Sequence, residues 1–159
     1  MTLSAITKIS FAVLFTLPFA LYQIFTGILW QNLLISTVAF FLTALPHELL
    51  HWVGHRLAGV DAKLGWARGA FGSPTLAVLA QRPQTLWSYR IAVALPGLAL
   101  GILPLVLGAL SGTPLWVLVG LVGISMASSD IALLVFTLRW PGHCLVQDHP
   151  QAVGVLRLD

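Results

Sequence analysis

The sequence predicts an all-α membrane protein: four transmembrane helices, a short β-hairpin-like cytoplasmic loop and a strand-like C-terminal tail, forming one domain over residues 1–159. Three observations predict it. Hydrophobic residues make up 58% of the chain and charged residues only 8%, whereas a soluble domain carries about 25% charged residues. Four apolar stretches are long enough to cross the ~30 Å hydrocarbon core, which takes about 20 helical residues. With four crossings, every Lys and Arg falls on the same side of the membrane.

The first apolar stretch covers about residues 9–29. Its run is longer than the usual signal-peptide core of about 7–15 residues, and no Ala-x-Ala site follows, so it reads as a retained helix. The second stretch covers about 33–57, the third about 91–110 and the fourth about 115–138. Lys8 precedes the first. Arg56, Lys63, Arg68, Arg82 and Arg90 lie at the end of the second or between the second and third, and Arg139 and Arg157 follow the fourth. The links 30–32 and 111–114 carry no charge. The positive-inside rule then makes the termini and the middle loop cytoplasmic. Between the second and third stretches, Gly59, Gly65, Gly69, Gly72 and Pro74 punctuate the chain before the β-prone run Thr75–Ala80. That pattern predicts a hairpin or strand pair, with residues 72–81 lining substrate access. In the tail, turn signals at Pro141-Gly142 and His149-Pro150 lead to a strand-like run over 152–158.

The net charge of +3 does not indicate nucleic-acid binding, because the basic residues form no dense run and no aromatic interleaving. The single cysteine, Cys144, excludes an internal disulfide framework. Most of the tryptophans fall near predicted helix ends, as interfacial anchors do. Trp52, beside the motif below, either walls a site or packs.

The chemistry sits in the second stretch, as His47-Glu48-Leu49-Leu50-His51. Helical positions four apart share a face, so two imidazoles can hold one ion. Glu48, one residue on, is turned by about a quarter of a circle and can reach a metal-bound water without being a ligand. This is the zinc-hydrolase arrangement, with Glu48 as general base. Glu48 is the only glutamate in the chain, and a carboxylate inside an apolar helix is costly and usually functional. The structural alternative is a buried polar cluster that ties helices together.

A zinc site of this kind takes a third protein ligand and keeps one position open. His55 continues the face but lies ~12 Å along a straight helix from His47, and reads as a helix-end or supporting residue. Asp130 is the better candidate. His47 is 14 residues from the outer end of its stretch at Leu33, or ~21 Å, and Asp130 is 15 residues from Leu115, or ~22 Å. The two therefore share a level. Ser125, Ala127, Ser128 and Ser129 around Asp130 permit close helix approach. Pro46 and Pro96-Gly97 also lie at membrane depth. Pro46 either admits water beside the metal or is a tolerated kink. His143, Cys144 and His149 fit no zinc signature and read as ordinary loop residues.

His47-Glu48-x-x-His51 in a membrane helix, Pro96-Gly97 in the next and an Asp in a later one resemble the site-2 protease group of intramembrane metalloproteases. The chain is still more similar to a family of small bacterial zincin peptidases, formerly a domain of unknown function. It has that family's Ser129-Asp130-Ile131 element and its tail Asp148-His149-Pro150 followed by Gly154. The resemblance implies a peptidase fold with Zn2+ held by His47, His51 and Asp130, in the bacterial inner membrane. Site-2 proteases usually carry Leu-Asp-Gly around the ligand Asp, and the broader group often carries an Asn in the helix after the motif; neither is present here. The expected function is hydrolysis of peptide bonds in or near the membrane, on a membrane protein or peptide substrate, with the lipid bilayer as surroundings. The alternative is a non-catalytic membrane scaffold or chaperone with a structural zinc site, which would need no general base. Metal transport would favour several acidic or His sites in a line, and only one cluster is present.

Overall fold

A computed structural model of the chain describes residues 29–68, 74–149 and 154–158, with separate positions between 10 and 24. Those separate positions are helical; the rest of the expected first helix, together with Gly69, Gly72 and Pro150, lies outside the described residues. The described chain is mostly helical, with two small antiparallel sheets.

Helix α1 runs Leu29–Leu57, with Pro46 inside it. It stops at Gly59, which takes φ 73°, a left-handed conformation that costs glycine little. Val60 N–H donates to the His55 carbonyl at 2.9 Å and closes the end of the helix. The chain then forms the expected hairpin. Strand β1, Ala62–Arg68, pairs with β2, Pro74–Ala80, from Ala62 opposite Ala80 to Arg68 opposite Pro74.

After the short strand β3, Gln84–Thr85, helix α2 spans Leu86–Ser111. It begins at Leu86 rather than near Ile91. Thr85 caps it by accepting from Ser88 N–H, and its first turn is held by buried Leu86 and Tyr89, a tertiary contact that overrides the polar look of residues 81–90. Its middle, Gly97–Ile102, widens into a π-helical turn, and it ends at Gly112 in the left-handed region.

The fourth apolar stretch is not one helix. Helix α3, Pro114–Met126, and helix α4, Ser128–Thr137, meet at 54°. The break falls on Ala127, whose ψ of 6° leaves the helical range. Ser128 and Ser129, which compete with the helical backbone for hydrogen bonds, follow it. Among the described residues, α2 is long and apolar enough to cross a membrane, and the bent α3–α4 pair meets the same test when taken together.

Strand β4, Leu145–Asp148, lies between β3 and β5, Val155–Arg157. This sheet carries Cys144, Val146 and Val155 into a buried cluster with Leu86, Tyr89 and Val93 of α2 and Ala132 and Leu133 of α4. Cys144, read as a loop residue, lies just before β4 and is buried in this cluster. Only a long-range pairing, which period alone does not reveal, makes β4 a strand.

Close helix contacts depend on missing Cβ atoms. A Cβ at Gly54 of α1 would lie 2.6 Å from the Ala92 Cα of α2, and one at Gly123 of α3 would strike the Leu100 carbonyl. The first approach sets α1 against α2 at the level of the polar residues described next.

Candidate metal centre

His47 and His51 sit one turn apart on α1 and are both buried. Their rings stand nearly perpendicular, with centroids 4.9 Å apart, and their Nε2 atoms are 3.2 Å apart. Asp130 enters from α4. Its Oδ2 is 3.0 Å from His47 Nε2 and 3.3 Å from His51 Nε2. The break at Ala127 is what aims it: Asp130 lies in the first turn of α4, where a helix leaving at a new angle turns the carboxylate towards α1.

These three atoms form a nearly equilateral triangle. Ligands about 2.0–2.1 Å from a tetrahedral zinc stand roughly 3.3 Å apart, which matches the edges observed. Asp130 Oδ2 is buried with no hydrogen-bond donor directed at it. Two nitrogens and a carboxylate oxygen facing one point repel one another unless a cation lies between them. The donor set, two imidazoles and a carboxylate, suits zinc. The residues present therefore fit the metal.

His51 has its other ring nitrogen fixed: Nδ1 lies 3.1 Å from the Ala92 carbonyl oxygen. A carbonyl can only accept, so Nδ1 carries the proton and Nε2 presents its lone pair. Glu48 stands beside the triangle, with the donor atoms of His47, Glu48 and His51 within 4.8 Å of one another. One Glu48 oxygen is already engaged, accepting from Val78 N–H at 3.0 Å. That bond ties the site to β2.

A second buried polar group lies a turn further along α1. His55 Nδ1 is within 3.3 Å of the Gln84 side-chain oxygen, and His55 does not converge with Asp130 and the other two imidazoles. Asp148 of β4 accepts from Ala80 N–H at 2.6 Å. Burial pushes the Asp148 carboxyl above its ordinary range, against the opposing pull of that N–H. In sequence Asp148 stands out only within the tail motif Asp148-His149-Pro150; its place beside the hairpin comes from tertiary packing. Trp52 is partly exposed, with the Arg56 guanidinium 5.2 Å above its ring, and lines a small recess with Glu48 and Val78.

A cavity of about 780 Å³ joins these features. Phe40, Met126 and Leu76 give it an apolar wall, and the polar residues of the triangle and Asp148 line the other side. Such a mixture of apolar lining and a few converging polar groups is typical of a ligand site.

A protein-family model described as "Putative zincin peptidase" matches residues 40–145. No curated protein and no solved structure matches the chain.

Proposed function

Because the chain belongs to the zincin peptidase family, with zinc as its metal, we propose that it is a membrane-embedded, site-2 protease-like metallopeptidase that cuts peptide bonds in or near the bilayer. In this reading His47, His51 and Asp130 hold the zinc and Glu48 is the general base. The observation that carries it is the triangle of donor atoms with a second carboxylate, Glu48, close beside it and held by the Val78 N–H. A purely structural zinc site needs no group to take a proton from water.

Zinc, when bound, supplies the Lewis acidity that makes water a nucleophile at neutral pH. The chain's own residues do the rest. Glu48 takes the proton from the attacking water and returns it to the leaving amine. The Val78 N–H holds one Glu48 oxygen in place and leaves the other to handle the proton. The Ala92 carbonyl keeps the His51 ring turned towards the site.

Among the described residues no strand pairs with the outer edge of β2, and that edge supports an extended substrate. Val78 and Ala80 point their N–H groups away from β1, at Glu48 and Asp148. Alternation along a strand puts the Leu76 N–H on the same edge and the Ala77 N–H towards β1. A substrate strand can add at Leu76 and run on past the triangle.

The membrane setting rests on large apolar side chains left outside the core: Leu57 is 80%, Leu110 82% and Phe41 71% exposed. In water such exposure on every helix would drive association; in lipid it needs no partner.

The test is metal content and turnover of protein purified in detergent, with a transmembrane peptide as substrate. One zinc per chain is expected. Glu48→Gln should keep the zinc and lose at least about 10²-fold in rate. Cleavage by Glu48→Gln at the wild-type rate would overturn Glu48 as general base, and no cleavage by zinc-loaded wild type would leave the scaffold reading standing instead.

A further inference from the structure

We propose that Pro96 is a positioning residue of the metal centre. Because it lacks an N–H, it leaves the Ala92 carbonyl unclaimed within α2, and that carbonyl fixes the ring of His51. The inference rests on the zinc-site reading above.

In a regular α-helix the carbonyl of residue 92 accepts from the N–H of residue 96. Residue 96 is proline, inside α2, and has no N–H to give. The next donor along, Gly97 N–H, bonds to Ala94 instead. The proline ring also crowds the carbonyl four residues back and tilts it off the helix axis. The freed oxygen therefore faces a neighbour. That neighbour is α1, which comes closest at this level because Gly54 has no side chain: a Cβ there would lie 2.6 Å from the Ala92 Cα. One turn before Gly54 on the packed face, His51 Nδ1 meets the Ala92 oxygen at 3.1 Å.

The contact fixes three things at once. It places the proton on Nδ1 and leaves the Nε2 lone pair for the ion. It sets the plane of the ring. It also makes the imidazole a better donor, as outer hydrogen bonds to ligating histidines do. A proline inside a helix is destabilising in itself. Here its cost is offset by a buried bond that an ordinary residue at 96 would have kept for the helix.

Pro104 supplies a matched comparison. It lies in the same helix and likewise lacks an N–H, but the carbonyl four residues before it, Leu100, packs against Gly123 of α3 and not against a ligand. The experiment measures zinc affinity of the full chain in detergent by competition with a chromophoric chelator, for wild type, Pro96→Ala and Pro104→Ala. It is paired with 15N spectra of the histidine rings in the metal-free protein.

Pro96→Ala should bind zinc about 10–100-fold more weakly, the usual loss when an outer-shell partner of a ligand is removed. It should also shift the His51 ring away from the Nδ1–H form, while the metal-free protein melts no lower than wild type. Pro104→Ala should match wild type in both readouts. Unchanged affinity and an unchanged His51 tautomer in a folded Pro96→Ala variant would overturn the proposal. So would a wild-type His51 found as Nε2–H, a measurement that needs no variant. If wild type binds no zinc, the metal reading fails, and the ring spectra still decide the role of Pro96.

Discussion

At the scale of single residues, the third ligand is the assignment that geometry discriminates best. Asp130 Oδ2 lies within 3.3 Å of both imidazole Nε2 atoms, whereas His55 spends its Nδ1 on Gln84. Asp130→Asn preserves shape but removes the charge that a divalent ion compensates. It should empty the site, or weaken zinc by at least tenfold, while His55→Ala should leave one zinc per chain. Metal content by atomic absorption checks both; full occupancy in Asp130→Asn together with an empty His55→Ala would reassign the ligand.

At the scale of elements, two packing relations decide whether the residues meet. The first is α1 against α2. Gly54→Ala places a methyl group against the Ala92 backbone and should destabilise the protein by about 1–3 kcal/mol, as overpacking does. Because it pushes away the helix that holds His51, zinc affinity should fall as well. Thermal melts with and without metal measure both effects. The second is the hairpin against the site. Leu76→Pro removes the free-edge N–H without touching the ladder to β1, so it should raise KM for an extended peptide and spare the fold. Ala77→Pro, which breaks the ladder itself, should unfold the hairpin, visible as increased proteolysis between β1 and β2. Equal KM for Leu76→Pro and wild type would count against strand addition.

At the scale of the molecule, the one-sided distribution of Lys and Arg predicts an orientation that can be measured. Lys63 and Arg56 sit at the hairpin end and Ser111 at the opposite end of α2. With the buried native Cys144 kept, a Ser111→Cys variant should react with a membrane-impermeant maleimide added outside cells. A Lys63→Cys variant should react only after permeabilisation. The reverse pattern would invert the topology.

Composition alone gives the apolar character of this chain, with 8% charged residues against about 25% in a typical soluble domain. The spacing of His47 and His51 follows from the helical repeat, so a metal-binding face is legible from three letters. The residue count from Leu115 puts Asp130 near the level of His47, but that count crosses the 54° bend between α3 and α4 and so gives no exact depth. The hairpin is visible in its glycines and in the run Thr75–Ala80. What no local pattern contains is direction. The bend at Ala127, the start of α2 at Leu86 and the three-stranded sheet through β4 all arise from contacts between segments far apart in sequence. So do the bonds from Val78 to Glu48 and from Ala80 to Asp148. Pro96 shows the division most sharply. Sequence says that a carbonyl is set free at residue 92; only the packing of α1 on α2 says that the group waiting for it is His51. A hydrogen bond reaches about 3 Å, and nothing short of the tertiary structure specifies position to that tolerance.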